Sequence, residues 1–373
     1  MARIASAGTA WVERKLSDVS LPLSAKQRVQ LLRLLPSGPP TWAYAEQEGE
    51  AVDAGYWNSI SVYELPDTDP AISVSKLLGR GRVFAAIEFL AHLVQSHESH
   101  TLILDVFDAL VNGKAVDRSY SSFGYDAARL LDAVGTAPDA TSDEATCVAQ
   151  LEWALLPVID EYERSPRALH QALANTPSFF VEVVSLVFRG DHDDDKSDED
   201  NGEIADEERE RAKRGYALLQ SWRRLPGQRD DDNAVAIADL MTWVLAARRD
   251  LADAHRLGIG DELIGQMLSG SPVDPDGAWP AVAVRDAVEE VKSHDLERGI
   301  AIGTYNSRGV VTRPIGGGGA QERGLAERYE GYAVLLADTW PRTAAMLRRM
   351  ADSYRSDAAR EDHGVVLDDD FGG

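Results

Sequence analysis

Apolar side chains recur at spacings of three and four residues through most of this chain, and that spacing is the strongest constraint on its fold. Within residues 82–95, for example, Val83, Ile87, Leu90 and Val94 form one stripe, as on one face of an α-helix. The alternation with a period of two that indicates strands is scarce. We therefore predict an all-α protein: an antiparallel helical array or α-solenoid-like stack, interrupted by an acidic disordered insertion and one Gly-rich loop.

Proline and small hydroxyl residues mark where several helices begin. Asp69-Pro70 and Thr176-Pro177 each place proline at a first helical position, where its missing N–H is not needed. Thr141 and Glu144 have the spacing of a capping box, in which each side chain accepts a hydrogen bond from the other residue's backbone N–H. The turns between helices are short, which indicates antiparallel neighbours, but no repeat of fixed period is found.

These signals divide the chain into seven segments. Residues 1–70 have the least regular pattern, and residues 299–319 carry turn chemistry with little helix signal. The predicted segments are an irregular N-terminal region (1–70), a helical array (71–189), an acidic linker (190–207), a helical block (208–298), a Gly-rich loop (299–319), a C-terminal helical pair (320–362) and an acidic tail (363–373).

The charge balance restricts the classes of partner. The 373 residues include 62 Asp or Glu and 38 Lys or Arg, a formal net charge of −24. Residues 191–210 alone hold twelve acidic and two basic residues, a net charge of −10, which predicts a solvated, disordered linker. Such a field repels nucleic acid and anionic lipid and favours basic surfaces, so we expect a protein partner of basic character and no direct nucleic-acid binding.

The compartment follows from the absence of membrane and export signals. No apolar run approaches the roughly 18 residues of a membrane-spanning helix, and the N-terminus MARIASAGTAWVERK lacks the apolar core of a signal peptide. The single cysteine, Cys147, cannot form an internal disulfide, which suits a reducing compartment. We expect a cytoplasmic protein that does not contact membranes.

The segment GIAIGTYNSRGVVTRPIGGGG (299–319) is the candidate ligand-binding loop. Consecutive glycines ahead of a helix expose backbone N–H groups, and nearby arginines add charge and paired hydrogen bonds, so the segment has the chemistry of an anion site. It has neither the G-x-x-x-x-G-K-[ST] motif nor a preceding strand, so a plain surface connector is the competing interpretation. The candidate ligand-binding residues are Asn306, Arg308, Arg313, Gly316, Gly317, Gly318, Gly319 and Arg323.

Motifs for catalysis and metal binding are not found. There is no H-E-x-x-H, G-x-S-x-G or C-x-x-C sequence, and His97 and His100 flank Glu98 with no third ligand indicated. Cys147 lies four residues before Leu151 on a helical stripe and is interpreted as a small buried hydrophobe. We assign no catalytic residue, metal ligand or cofactor, and expect a protein that is not an enzyme.

Most of the chain resembles a known class of proteins, and the resemblance is carried by residues of the C-terminal third. The run from Trp279-Pro280 through IGTYNSRGVVTR, GGGGAQERGLAERY and DTWPRTAAMLRRMADSYRSDAARED is similar to the C-terminal helical region of large bacterial multidomain defence proteins of the STAND type. The resemblance extends over residues 40–365. It implies a module for sensing or protein contact, and a P-loop ATPase supplied by a partner or by a longer chain.

Three functions are therefore under consideration. The first is a non-enzymatic helical protein-interaction or sensor module, a component of a larger bacterial, antiviral-defence-type assembly, because helix stacks expose extended surfaces. The second is a nucleotide- or phosphate-responsive regulator or enzyme that uses residues 303–323. The third is an acidic DNA mimic. Five tryptophans are candidate core residues or interface anchors: Trp42, Trp57, Trp222, Trp243 and Trp279.

Overall fold

The computed structural model confirms the all-α prediction. It describes residues 2–18, 20–93, 100–135, 137, 140–160, 165–189, 206–229, 231–308 and 319–371, with side chains described except at 2–8, 160 and 364–371. Eighteen α-helices and one short 3-10 helix occur in these ranges. The only β-type pairing there is an isolated bridge between Gln228 and Val235.

The chain forms two compact units, residues Met1–Leu169 and His170–Gly373. The first unit contains nine α-helices, one 3-10 helix and the start of a tenth α-helix. They are α1 (Ala2–Leu16), α2 (Ala25–Leu32), α3 (Pro39–Gln47), α4 (Glu50–Ser59), the 3-10 helix (Val62–Glu64), α5 (Pro70–Gly79), α6 (Val83–Leu93), α7 (His100–Val111), α8 (Phe123–Gly135), α9 (Ser142–Asp160) and α10 (Arg167–Asn175), which contains the boundary.

A continuous apolar core holds the first unit together. Helix α6 lies at its centre and packs against α5, α7 and α8, which explains why residues on most of its circumference, such as Ala85, Ile87 and Phe89, are buried. The carboxylate of Asp117 accepts hydrogen bonds from the Phe84 and Ala85 N–H groups, 3.2 and 2.9 Å away. It therefore satisfies donors that have no partner within the first turn of α6.

The second unit contains the remaining helices. They are α11 (Pro177–Val187), α12 (Asp206–Ser221), α13 (Ile237–Asp253), α14 (Leu257–Leu268), α15 (Val282–Val291), α16 (His294–Asn306), α17 (Ala320–Leu336) and α18 (Pro341–Phe371).

Aromatic packing and two close helix pairs organise this second unit. The rings of Phe180, Trp222 and Trp243 pack around one point between α11, α12 and α13, with centroids 5.3–5.5 Å apart. Helix α14 packs closely on α16, and α17 packs along α18 as a helical hairpin. The five tryptophans named above are all buried, so they belong to the cores and are not exposed interface anchors.

Local start signals were predicted correctly. Pro70 and Pro177 are the first residues of α5 and α11. In the capping box, Thr141 N donates to Glu144 Oε2 at 2.8 Å, and Glu144 N donates to Thr141 Oγ1 at 3.2 Å. Each of these signals acts within one helical turn, so the sequence contains all the information needed.

The structure differs from the predicted segments at three places. Residues 1–70, expected to be irregular, contain α1–α4 and the 3-10 helix. Residues 299–306, expected to begin the Gly-rich loop, continue α16. Residues 363–371, expected to be a tail, continue α18. Most of the predicted acidic linker lies outside the described residues, and α12 begins at Asp206 within its C-terminal end.

No helix in the described ranges is both long enough and apolar enough to cross a lipid bilayer.

Candidate functional site

The structure places the predicted ligand residues at two neighbouring helix ends. Asn306 and Arg308 lie at the C-terminal end of α16, and Gly319 and Arg323 lie at the N-terminal end of α17. The other four predicted residues are outside the described part of the chain: Arg313, Gly316, Gly317 and Gly318.

Arg308 is bound within the protein. Its Nη2 lies 3.2 Å from Oε1 of Glu322, a residue of the first turn of α17 that is only 1% exposed. The guanidinium also lies over two tyrosine rings, 5.3 Å from the Tyr354 centroid and 5.9 Å from that of Tyr305. A carboxylate as buried as that of Glu322 requires a charged or hydrogen-bonded partner. Arg308 supplies that partner, so its charge is already compensated.

The N-terminus of α17 does receive an anion, but the anion comes from the same chain. Asp362 on α18 accepts a hydrogen bond from Gly319 N through Oδ1 at 2.8 Å, and its Oδ2 lies 2.5 Å from Arg323 Nη1. The Gly319 N–H, followed by the Arg323 hydrogen bond, lowers the pKa of Asp362 below its usual value. A carboxylate is thus held where the sequence predicts anion binding.

A tyrosine cluster supports this corner of the second unit. Tyr329 of α17 stacks on Tyr354 of α18, with centroids 5.6 Å apart and an interplanar angle of 7°, and Trp279 meets Tyr329 edge-on. Burial raises the pKa of Tyr329 to about 12. The phenol therefore stays protonated at neutral pH, and the cluster serves packing rather than proton transfer.

A cleft of about 270 Å³ lies between α16 and α18, directly beside Arg308. Its walls are mainly apolar, and Tyr305 at its edge is 57% exposed. Asn306 and Ser353 contribute the polar groups. The lining residues are Ala301, Ile302, Tyr305, Asn306, Met350, Ser353 and Tyr354. Asn306 alone of this set is among the predicted ligand residues, and the α18 residues follow it in the sequence by more than forty positions.

Other perturbed titratable groups are buried and occupied in structural contacts. Burial raises the pKa of Glu152 to about 7, and its Oε2 accepts a hydrogen bond from Leu169 N at 2.8 Å in the first turn of α10. Burial lowers the pKa of His170 to about 4, and its Nε2 lies 3.1 Å from Ser221 Oγ. Glu152 thus caps a helix, and His170 is a neutral core residue near neutral pH.

Cys147, His97 and His100 are the remaining candidate reactive groups from the sequence. Burial, and to a lesser extent Asp108, raise the pKa of the half-buried Cys147 thiol, which disfavours the nucleophilic thiolate. His100 Nδ1 lies 3.3 Å from Glu144 Oε1, whereas His97 is outside the described residues. Among the side chains that the structure describes, no group of three or more His, Cys, Asp or Glu is placed to hold a metal ion.

Comparison with known proteins gives no match at any of three levels. No protein-family model matches the sequence. No curated protein matches it. No solved structure matches the fold.

Proposed function

We propose that this chain is a non-enzymatic helical protein-interaction or sensor module, and that the cleft between α16 and α18 receives an apolar side chain of its partner. The cleft is the observation that supports the proposal. Its volume of about 270 Å³ lies just below the roughly 300–1,000 Å³ typical of small-molecule sites. A single anchoring side chain is therefore a better match in size than a cofactor.

The composition of the cleft also favours a protein partner. Tyrosine and methionine are enriched where proteins meet, and Tyr305 and Met350 lie on its walls. The net charge of −24 favours a basic partner through long-range attraction. The resemblance to STAND-type proteins supports placing the module in a larger bacterial defence-type assembly within the cytoplasm.

Affinity capture with paired variants tests this proposal. Tyr305→Ser and Ile302→Glu change the cleft, whereas Tyr216→Ser removes a comparably exposed tyrosine, 51% exposed, from α12. We expect a captured partner to be retained by the wild-type chain and by Tyr216→Ser, and to be lost from both cleft variants. Equal capture by all four proteins, each shown to be folded by circular dichroism, would remove the cleft from the proposal.

The alternative, a phosphate-responsive regulator or enzyme, has a direct test of its own. Its support is reduced because Arg308 and Arg323 are both paired with carboxylates, which compete with phosphate for the same donors. A thermal-shift screen against nucleotides, phosphates and divalent metals compares the wild type with Arg308→Ala and Arg313→Ala. The readout is the shift that each ligand causes in each protein. A nucleotide shift lost in both variants would establish this alternative.

A further inference from the structure

The outer face of α17 carries two adjacent exposed aliphatic side chains. Val334 is 65% exposed and Leu335 is 66% exposed. Among the large hydrophobic residues of the described ranges that are exposed, these are the only two that adjoin in sequence. Single exposed hydrophobic residues are common and carry no meaning, but a pair on one helix face is a local apolar surface.

This face lies directly opposite the buried face of α17. The buried side chains Ala326, Tyr329, Ala333 and Leu336 share one side of the helix. With about 100° of rotation per residue, Gly331 lies opposite their centre. A Cβ atom added at Gly331 would meet nothing within 4 Å. The face therefore has a shallow depression at Gly331, with Leu335 rising one turn further along the same side.

Two charges of opposite sign flank these residues. Arg328 and Asp338 are both exposed, and neither forms an ion pair or hydrogen bond with another residue that the structure describes. Asp338 follows the C-cap Ala337, whose φ of −55° and ψ of −39° are helical, so Asp338 continues the helical spiral. With about 100° per residue, Arg328, Gly331, Leu335 and Asp338 all lie within one third of the circumference.

The four residues are arranged symmetrically about position 333. Arg328 precedes that position by the same number of residues as Asp338 follows it, and the same holds for Gly331 and Leu335. If a second copy of α17 packs antiparallel with its two-fold axis at position 333, Arg328 of each copy faces Asp338 of the other. The same register places Leu335 of each copy over the other's Gly331. A single register thus pairs the opposite charges and also places each Leu335 side chain in the depression at the other copy's Gly331.

We propose that the outer face of α17 is a homodimer interface, and that its occupant is a second copy of this chain in an antiparallel, two-fold arrangement. The opposite charges at the two ends of one apolar strip make the face complementary to itself. A 17-residue helix is only about 25 Å long, so a contact through it is small. The dimer should accordingly form in a concentration-dependent manner and not as an obligate assembly.

The net charge of the chain opposes this association and sets the conditions for measuring it. Two copies of charge −24 repel each other at low ionic strength. At about 0.15 M salt the Debye length falls to about 8 Å, so charges across the contact dominate over the distant ones. Analytical ultracentrifugation of the full chain over a wide concentration range at that salt concentration is the appropriate measurement.

Charge-reversal variants give a test that a folding defect cannot mimic. Arg328→Asp gives two acidic positions per copy, and Asp338→Arg gives two basic positions, so each variant alone should raise the dimer dissociation constant at least about tenfold. In an equimolar mixture, every Asp at 328 faces an Arg at 338, and every native Asp338 faces a native Arg328. We expect the mixture to recover a dissociation constant within about threefold of the wild type.

Lys114→Asp is the control, because it reverses an exposed charge in the first unit and should leave the dimer unchanged. A wild-type chain that remains monomeric at all concentrations would overturn the proposal. So would a dimer that is indifferent to both reversals, or a mixture that fails to recover. The cleft residues of α16 and α18 are unchanged in these variants, so partner capture through the cleft can be measured independently.

Discussion

Arg308 shows how the same side chain can satisfy a sequence-based criterion for ligand binding and yet serve the fold. It lies next to a glycine-rich segment, as an anion-binding arginine would. In the structure its guanidinium pairs with Glu322 and lies over two tyrosine rings. The carboxylate is nearly inaccessible to water, so the cost of leaving it unpaired is large. The sequence distance of fourteen residues between the two partners is what hides this role.

Replacing Arg308 should therefore destabilise the second unit without any ligand present. Arg308→Ala leaves the Glu322 carboxylate buried and uncompensated, and we expect a loss of about 3 kcal/mol or more in unfolding free energy. Urea denaturation followed by circular dichroism measures the loss. Arg323→Ala is the matched control: Arg323 and Asp362 are each about half exposed, so water and salt screen the pair and that variant should lose much less stability than Arg308→Ala.

The double variant Arg308→Met with Glu322→Leu distinguishes a lost charge pair from a lost side chain. It removes both charges and keeps apolar bulk, so it should recover most of the stability that Arg308→Ala loses. An Arg308→Ala protein with the wild-type urea midpoint would show that the ion pair contributes little.

Glu152 and His170 give opposite pH dependences to the two units. Folded Glu152 has a pKa of about 7 against 4.5 for an ordinary Glu, so between those pH values the folded state holds a proton that the unfolded chain releases. Stability contributed by Glu152 is therefore present below pH 4.5 and is lost as the pH rises to about 7. Folded His170 has a pKa of about 4 against 6.5, so its contribution is lost as the pH falls from 6.5 to 4.

Glu152→Gln should remove the loss of stability at neutral pH. Gln keeps an oxygen to accept from Leu169 N but carries no charge to desolvate. Relative to the wild type, the variant should gain up to about 3 kcal/mol between pH 4.5 and pH 8, at about 1.4 kcal/mol per pKa unit. Urea unfolding of both proteins across that range measures the difference. His170→Asn is the contrast, since its difference from the wild type should develop only below pH 6.5; parallel curves for Glu152→Gln would contradict the raised pKa.

At the scale of single elements, the crossing of α14 and α16 explains the most informative error of the sequence analysis. The sequence GIAIG (299–303) was interpreted as loop because glycine is a poor helix former. In the structure it is helical because Gly265 and Gly299 face each other where the two backbones nearly touch. A Cβ atom on Gly265 would collide with the Leu296 carbonyl oxygen and lie 2.8 Å from Ile300 N. Tertiary contact thus overrides the local preference.

Gly265→Ala should consequently destabilise the second unit, although alanine normally favours a helix by about 1 kcal/mol. The added methyl group forces α14 and α16 apart, and we expect a loss of more than 2 kcal/mol, in the range of overpacked cores. Gly324→Ala is the matched control because a Cβ atom there meets nothing within 4 Å; it should be neutral or stabilising. Thermal unfolding of the two variants compares them directly, and equal melting temperatures would contradict the close crossing.

Structure set by residues close in sequence was predictable, whereas structure set by contacts between distant helices was not. Helices such as α5 and α11, which begin at the prolines predicted to open them, are encoded by apolar spacing and turn residues close in sequence. Helices α3 and α4, within residues 1–70, were missed because short helices with little periodicity form only when packed in a core. Of the residues that line the cleft, only Asn306 was among the predicted ligand residues. Met350, Ser353 and Tyr354 could not be added from the sequence, because helical spacing does not reveal which distant helices meet.

At the scale of the whole molecule, charge is the property that acts beyond the individual contacts. The net charge of −24 is unevenly distributed: residues 191–205 hold eight Asp or Glu and one Lys, a net charge of −7. A concentrated acidic segment attracts a basic partner over distances comparable with the Debye length, before any short-range contact forms. It should therefore affect how fast a partner arrives more than how long it stays bound.

Replacing residues 191–205 by a neutral Gly/Ser segment of equal length should slow association with the basic partner that we propose for the α16–α18 cleft. The substitution removes a charge of −7, and we expect the association rate constant to fall about tenfold at low salt, with little change in dissociation.

Surface plasmon resonance at about 0.05 and 0.5 M NaCl measures both rates. At the higher salt concentration the Debye length is only several ångströms, so the two proteins should associate at similar rates. If the neutral segment instead increased the dissociation rate at both salt concentrations, the acidic residues would have to contact the partner directly. Tyr305→Ser should show the opposite signature, an increased dissociation rate with unchanged salt dependence, because the cleft holds the anchor after the charges have brought the partner close.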